Sequence, residues 1–549
     1  MLVSFDRPPE RSSFREFAVH DDEKFFICWR GLIFRDGARA GSETIGHLAQ
    51  DLVRQDLREL CHSLRGVFVL FVFDRRIKLW QVAVDNAGLY HAFHDGFVAS
   101  TSFLELLAEP RHACASPSLP AFVEFLAHDG VFWGRTPVEG ITRVAANEIV
   151  ELRPPTLGGA RSAILRQKLL PAAGAVDEAG FVAHYAHLAA ALTGRRVSLD
   201  LTGGLDSRLT ACLLSEQALD FETAIVGRPE LDEVVIAGRA AQALDRPLHI
   251  TVHDPSALED ELPEMFRQCD GLSDVLAYHR SWQLSCDRLR RGVEVVVSSV
   301  GGELYKDFWW LQDWPWYRSV WSNFARLYDL RIHPVSLPGT YLSAAATVAY
   351  RDLRRRTLEG FERLCAQYNT ESYDNVYFFY KMPQAAGCFA TATVDQGLEV
   401  TAPFLDYDNF LFGAGLPRSR RFLNRFHREM LSSRCPKLAC LITTTGVSAR
   451  KGAGPLFTDL AGYTSNLSRR LVRKVGERVL RRRWMAAADP ASPDIAARTR
   501  RSARFRQAVQ DLKQADVLHP ELADDDIRDG DIGRILTLGM LVSHLSRSS

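Results

Sequence analysis

The sequence lacks an excess of charge and lacks a long apolar segment. Lysine plus arginine and aspartate plus glutamate each total 67 residues, so no net charge attracts nucleic acid or a membrane surface. No stretch approaches the roughly 18 apolar residues of a membrane-spanning helix, and the first residues are too polar for a signal peptide. We therefore expect a cytoplasmic protein with no nucleic-acid partner and no membrane partner.

The sequence also lacks the cysteine and histidine spacings of metal sites. Its ten cysteines contain no CxxC pair, and its 16 histidines contain no HExxH cluster. Scattered single cysteines are typical of reduced thiols in a cytoplasm. The composition, 46% hydrophobic and 24% charged, is that of a globular protein.

A chain of 549 residues is too long for one ordinary core, so at least two domains are expected. Residues 1–165 contain short aromatic and β-branched runs typical of strands, such as Phe25–Trp29 and Gly66–Asp74. The segment Glu151–Ala175 is rich in proline and glycine and is the predicted linker. Residues 176–549 form the second predicted domain.

In this second domain, helical patterns alternate with short buried strands. The predicted strands are Val197–Leu201, Glu222–Val226, Leu248–Val252 and Val293–Val297. This alternation predicts an α/β fold with a doubly wound, mostly parallel sheet. Ligands of such sheets bind beyond the carboxyl ends of the strands.

A glycine turn lies at one of these carboxyl ends, between the strand Val197–Leu201 and a predicted helix. Its sequence is Leu-Thr-Gly-Gly-Leu-Asp-Ser, residues 201–207. Backbone N–H groups at a helix start bind phosphate oxygens, and Asp206 adds a carboxylate suited to a phosphate-bridging Mg²⁺. No lysine follows the glycines, so the loop is not of the GxxxxGK[ST] type.

This loop resembles the SGGxDS pyrophosphate loop of the ATP pyrophosphatases, with Thr202 in place of the first serine. The whole chain is similar to the asparagine synthetase family. Leu64–Phe68, Asp85–Tyr90 and Val98–Ser100 resemble motifs of the family's glutaminase domain, and Pro403–Asp406 matches its P-F-L-D block. The resemblance implies an N-terminal Ntn-type α/β/β/α sandwich and a C-terminal synthetase domain of the adenine nucleotide α-hydrolase-like fold.

The resemblance also implies site residues and cofactors, namely ATP and Mg²⁺. Asp206 and Glu303 are the implied metal ligands. Glu303 stands where the family has an aspartate, and a surface charge is the alternative for it. Lys451 is the implied charge-stabilising residue, although a solvated loop lysine, or Arg450 in that role, is the alternative. Glu399 either orients the incoming amine or is a structural carboxylate. The implied ATP-binding residues are Leu201, Thr202, Gly203, Gly204, Asp206, Ser207, Val226, Ser298, Ser299 and Gly301.

Three departures from the family pattern change the expected reaction. Leu2 stands where the glutaminase nucleophile is a cysteine, and Cys28 lies inside a predicted strand, so glutamine is not the expected nitrogen source. Val300 replaces the reactive glutamate of asparagine synthetase, and a valine neither accepts a proton nor orients an amine. Thr401 replaces an arginine of the Glu399 block. Asparagine is therefore a disfavoured product.

We expect an ATP-dependent, AMP-forming ligase that joins a carboxylate to an amine, as lasso-peptide cyclases and β-lactam synthetases do. Its expected partners are a small molecule or precursor peptide and a peptide-processing protein. The alternatives are an ammonia-dependent asparagine synthetase and a non-catalytic nucleotide-binding scaffold. The aromatic run Phe308–Tyr317 is either core or the wall of an apolar substrate pocket. The basic segment Arg469–Arg483 is either a solvated helix face or a surface for an anionic partner.

Overall fold

The computed structural model describes most of the chain. The described residues are 2–4, 17–39, 42–112, 115–152, 163–171, 176–306, 323–368, 372–444, 446–462, 464–465, 468 and 493–548. The aromatic run Phe308–Tyr317 and the basic segment Arg469–Arg483 lie outside these residues, so both hypotheses about them stay predictions.

The first part of the chain forms antiparallel sheets. A six-stranded sheet has the order β12-β11-β7-β6-β3-β2, a four-stranded sheet has the order β1-β9-β8-β10, and β4 pairs with β5. The strands are β1 Leu2–Ser4, β2 Ala18–Asp21, β3 Phe25–Gly31, β4 Phe34–Arg35, β5 Ala38–Arg39, β6 Phe68–Asp74, β7 Leu79–Val84, β8 Phe93–His94, β9 Val98–Ser100, β10 Thr142–Arg143, β11 Glu148–Leu152 and β12 Ala163–Gln167.

Helices cover the outer faces of these two sheets. They are α1 Ser42–Arg54, α2 Leu57–Leu60, α3 Phe103–Leu107 and α4 Leu119–His128. Side chains of a strand alternate between faces, so Phe25 and Ile27 of β3 pack with residues of α1, while Phe26 and Cys28 face the opposite side. Residues of α3 and α4 pack with Phe93 of the smaller sheet. The layers therefore follow the order helix, sheet, sheet, helix.

The strand β12 extends the first sheet past residue 165, into the predicted linker. It pairs with β11, from Glu148 opposite Gln167 to Leu152 opposite Ala163. One continuous apolar core also contains both Phe71 of β6 and Leu199 of the second sheet. The two parts of the chain therefore share buried surface.

The second part contains a parallel five-stranded sheet of order β15-β14-β13-β16-β17. Its strands are β13 Val197–Asp200, β14 Glu222–Val226, β15 Leu248–Thr251, β16 Val295–Val297 and β17 Glu399–Thr401. The doubly wound prediction is confirmed, and β17 is a strand that the sequence pattern does not predict. The direction of winding reverses between β13 and β16, which places a crevice beyond their carboxyl ends.

Helices surround this sheet and extend to the end of the chain. They are α5 Glu178–Leu192, α6 Leu205–Glu216, α7 Asp232–Ala243, α8 Leu258–Gln268, α9 Val275–Arg291, α10 Phe324–Leu327, α11 Ala344–Gln367, α12 Ser372–Asn375, α13 Met382–Ala385, α14 Gly387–Asp395, α15 Tyr407–Gly415, α16 Arg418–Arg421, α17 Arg425–Arg434, α18 Pro436–Cys440, α19 Pro493–Arg501, α20 Ala503–Gln514 and α21 Ile532–Ser548. Among the described residues, no helix combines the length and the apolar character needed to cross a membrane.

Candidate active site

The loop after β13 forms a tight turn that its own hydroxyl groups hold. The Thr202 N–H donates to Ser207 Oγ at 3.1 Å, and the Gly204 N–H donates to Thr202 Oγ1 at 3.2 Å. Helix α6 begins immediately afterwards, at Leu205. A Cβ atom at Gly203 would lie 2.6 Å from Thr444 Cγ2, so only glycine fits there. The structure thus brings the predicted phosphate-binding residues 202–207 together at a helix N-terminus.

A second loop follows β16 and lies against the first one. The Ser298 N–H donates to the Thr401 carbonyl at 2.8 Å, and Ser299 Oγ donates to Thr210 Oγ1 on α6 at 3.0 Å. Gly301 has a φ of +99°, and a Cβ atom at Gly302 would lie 2.3 Å from the Asp206 Cγ. Two glycines therefore allow the second loop to pack directly on the Asp206 carboxylate.

Asp206 is held by two side chains that sequence reasoning did not identify, Lys306 and His427. Lys306 Nζ forms an ion pair with Asp206 Oδ2, and His427 Nε2 lies 2.8 Å from Asp206 Oδ1. Burial raises the pKa of Asp206, but the Lys306 ammonium and the hydrogen bond of His427 outweigh burial and lower that pKa to about 2. Asp206 is therefore a carboxylate anion at neutral pH.

The sequence indicates a role in the site for one of these two residues and not for the other. Lys306 follows directly on the turn Gly302–Tyr305, so its closeness to Glu303 in the chain could have predicted a place in the site. His427 lies on α17, far along the chain, and is fully buried. Burial lowers the pKa of His427. A neutral imidazole therefore lies beside the Asp206 carboxylate, 2.8 Å from its Oδ1.

The predicted metal ligands offer oxygen atoms of the type that Mg²⁺ prefers. Glu303 Oε2 accepts a hydrogen bond from the hydroxyl of buried Tyr377 at 2.7 Å. No group of three or more histidine, cysteine, aspartate or glutamate side chains within the described ranges is arranged to hold a metal. Sites for Mg²⁺ on nucleotides use one or two carboxylates plus the phosphates, so Asp206 and Glu303 fit that requirement. In the structure, Lys306 pairs with Asp206 Oδ2, and Asp206 and Glu303 are the residues that would hold a metal.

The predicted adenine contact lies at the carboxyl end of β14. The Val226 carbonyl accepts a hydrogen bond from Arg280 Nη2 at 3.2 Å, and the Gly227 N–H donates to the Thr251 carbonyl at 3.0 Å. The location at the same sheet edge agrees with the predicted role. The contact itself stays a prediction.

The segment that carries Lys451 is tied to the nucleotide loop by a buried arginine. Arg208 on α6 donates to the carbonyls of Gly203, Leu441 and Ile442, at 3.2, 2.8 and 2.9 Å. This arginine is completely buried, and burial lowers its pKa to about 10. Its hydrogen bonds fix the start of the Lys451 segment against Gly203.

The Lys451 end of this segment is held by α17, the helix that also carries His427. Arg428 donates to the Ser448 and Arg450 carbonyls at 2.6 and 2.9 Å, and the Lys451 N–H donates to Ser432 Oγ at 2.9 Å. The Lys451 side chain is exposed. Its backbone is therefore anchored near the site, and its charged end reaches solvent.

Glu399 lies apart from these loops. It is the first residue of β17, at the amino edge of a parallel sheet, whereas both loops follow the carboxyl edge. Arg39 Nη2 donates to its Oε1 at 2.7 Å, and Arg195 Nη1 donates to its Oε2 at 3.1 Å. This placement favours the structural carboxylate over the amine-orienting role.

Two motifs of the family resemblance meet where the two parts of the chain pack together. Asp406 Oδ1 accepts a hydrogen bond from the Gly66 N–H at 3.0 Å, and His184 Nε2 lies 2.8 Å from Asp406 Oδ2. Arg65 also forms an ion pair with Asp408. These motifs therefore join the two parts. Cys28 is fully buried and burial raises its pKa, so its thiol is unsuited to nucleophilic chemistry.

Comparison with known proteins supports the resemblance. Residues 188–437 match the family model described as asparagine synthase. This range contains all five parallel strands, both loops and the residues that hold Asp206, while Lys451 lies beyond it. A search of curated proteins finds no match.

Proposed function

We propose that this chain adenylates a carboxylate and joins it to an amine, because its residues 188–437 match the family model of asparagine synthase, a family of ATP-dependent ligases. The observation that carries the proposal is the packing of the two loops at the carboxyl edge of the sheet. The phosphate-binding turn and the second loop meet at an ionised, partly buried carboxylate, Asp206. This arrangement suits a bound nucleoside triphosphate.

Each part of the proposed site has a chemical role. The backbone N–H groups at the start of α6 bind the phosphates of ATP. Magnesium, held by Asp206 and Glu303, supplies positive charge beside the pyrophosphate. A substrate carboxylate oxygen attacks the α-phosphorus and pyrophosphate leaves, which gives an acyl-adenylate. An amine nitrogen then attacks the acyl carbon and releases AMP. Lys451 stabilises the negative charge that develops on the phosphates.

The proposed substrates are a carboxylate and an amine that belong to a small molecule or to a precursor peptide, with closure within one molecule as in lactam formation. This proposal is supported by an argument against ammonia as the amine. Val300, at the position of the family's reactive glutamate, packs against the apolar core and carries no polar group. For a peptide substrate, the proposed partner is a peptide-processing protein.

The nucleotide product tests the reaction class. Incubation with ATP, a panel of carboxylates and hydroxylamine as a small amine should give AMP and pyrophosphate, because the loop binds the outer phosphates and leaves the α-phosphorus open to attack. Chromatography of the nucleotides and mass spectrometry of the hydroxamate measure this. Aspartate with ammonia should give little asparagine. ADP as the product would contradict adenylation, and efficient asparagine formation would restore an ammonia-dependent asparagine synthetase.

Substitution of Lys451 tests whether this residue stabilises the transition state or contributes to ATP binding. Lys451→Ala should lower kcat about 100-fold and change the KM for ATP less than about twofold, because its charge is needed while the α-phosphorus reacts. Lys451→Arg should restore part of kcat. Arg450→Ala tests the alternative residue for this role and should change kcat less than about twofold. Steady-state kinetics of pyrophosphate release measures these values. An unchanged kcat in Lys451→Ala would make this residue a solvated loop lysine.

A further inference from the structure

A cavity of about 230 Å³ lies beside the second nucleotide loop, between the sheet and the helices α9, α13 and α14. Ser298 and Val300 of that loop line it, so it borders the proposed reaction site. Most of its remaining wall is apolar, with Phe389 and Ala390 of α14 among the lining residues. The cavity therefore accepts an aliphatic group rather than a highly charged one.

One carboxylate lies in this wall. Asp200 is the last residue of β13 and directly precedes the nucleotide loop. Leu199 of β13 pairs with Val297 of β16. Asp200 and Ser298 are the next residues of these two strands, and neighbouring strands lie about 5 Å apart. Asp200 thus places carboxylate oxygens in the same cavity in which Val300 has no polar group, and Arg288, whose guanidinium pairs with Asp200, lines that cavity as well.

Asp200 retains an oxygen for a ligand. Its Oδ1 accepts a hydrogen bond from Arg288 Nη2 at 2.5 Å, while Arg288 Nε donates to Ser198 Oγ at 3.0 Å. Within the described part of the chain, Asp200 Oδ2 has no hydrogen-bond partner, and the side chain is 33% exposed. The carboxylate is therefore held in place by Arg288 and can still accept a second donor.

We infer that this cavity binds the amine substrate, as a primary ammonium group on Asp200 with a short aliphatic chain among the apolar residues. The inference rests on the proposed function and names the amine class that the function left open. By volume, a cavity of roughly 150 Å³ holds benzene, so about 230 Å³ holds roughly nine non-hydrogen atoms. Asp200 is then an amine-binding residue that replaces the orienting group missing at Val300.

The step that follows needs no reactant besides the acyl-adenylate and the bound amine. The bound ammonium loses one proton to water, and its nitrogen lone pair forms the C–N bond at the acyl carbon. The bond between the acyl carbon and the phosphate oxygen breaks, and AMP leaves with that electron pair. The nitrogen then loses its second proton to water, which leaves a neutral amide.

Direct binding of small amines tests the inference without the acyl substrate. We would titrate the full chain with n-butylammonium and with its neutral isostere n-butanol, using ligand-observed NMR. Asp200→Asn should weaken n-butylammonium binding about tenfold or more, because it removes a charged hydrogen-bond acceptor, and should change n-butanol binding less than about twofold. Ser285→Ala, which alters another lining residue of the cavity without changing its charge, is the matched control.

A second variant changes the volume and keeps the charge. Ala390→Leu fills the cavity, so it should abolish binding of both ligands. Equal affinity of n-butylammonium for wild type and Asp200→Asn, or no saturable binding to wild type, would overturn the amine site. A parallel titration with ATP keeps the two proposals apart. Asp200→Asn should bind ATP as wild type does, and failure of the wild type to bind ATP would overturn adenylation itself.

Discussion

Replacing Arg208 by alanine should lower the free energy of unfolding by about 3–5 kcal/mol. The substitution removes the donor of the buried Gly203 carbonyl and of the partly buried Leu441 and Ile442 carbonyls, and it also creates a cavity at a fully buried side chain. Among the described residues, Arg208 has no carboxylate partner, so the loss comes from unsatisfied carbonyls and lost packing. Guanidinium unfolding followed by circular dichroism measures the change.

The same substitution should also weaken ATP binding, because Arg208 ties the nucleotide loop to the segment that carries Lys451. Arg434→Ala is the matched control. Arg434 pairs with Glu216 at 2.7 Å near the surface, and such pairs contribute about 0–1 kcal/mol. A loss of less than about 1 kcal/mol in Arg208→Ala would show that water or neighbouring groups satisfy the carbonyls, and the tethering role would be wrong.

The parallel sheet was predictable because its strands are apolar and bounded by turns. Glu222–Val226 has the predicted bounds, and β13, β15 and β16 differ from prediction by one or two residues at their ends. The fifth strand, Glu399–Thr401, has only three residues and includes a glutamate. It is a strand because β16 pairs with it, which is a long-range effect that the local sequence does not carry.

The site was predictable where one contiguous motif builds it. Residues 201–207 form a turn from their own backbone and hydroxyl groups, so their arrangement follows from local sequence. The partners of Asp206 come from distant elements, and nothing near His427 in the sequence links it to the loop. Glu399 is the opposite case, in which a contiguous motif did not predict the position of a residue relative to the site. Its motif position suggested chemistry, but strand direction places it at the far edge of the sheet.

Replacing Asp206 by asparagine should lower turnover about a thousandfold and remove the Mg²⁺ dependence of ATP binding. The variant loses the partly buried anion that the structure places between the two loops, and the loss of preorganised charge in such sites costs several kcal/mol in the transition state. Pyrophosphate release and ATP titrations at several Mg²⁺ concentrations measure the two effects. Glu303→Gln should give a smaller loss, because Asp206 remains.

A substitution of Lys306 is a control for this prediction, because it should change the Mg²⁺ requirement in the opposite direction. Its ammonium forms an ion pair with Asp206 Oδ2, so Lys306→Met should free that oxygen and lower the Mg²⁺ concentration needed for half-maximal ATP binding. Asp206→Asn combined with Lys306→Met should behave as Asp206→Asn alone. If Lys306→Met instead raised the Mg²⁺ requirement, the lysine would act on the phosphates and not as a competitor for the carboxylate.

The pH dependence of stability distinguishes a lost charge from a misfolded site. The folded-state pKa of Asp206 is about 2, below the value of about 3.9 for an unfolded chain, so its stabilising contribution is present above pH 4 and is lost as pH falls from about 4 to 2. Asp206→Asn should therefore unfold with a flatter pH dependence over that range than wild type. An identical acid limb in both proteins would mean that Asp206 is not held by Lys306 and His427 in solution, and the charge arrangement of the proposed site would be wrong.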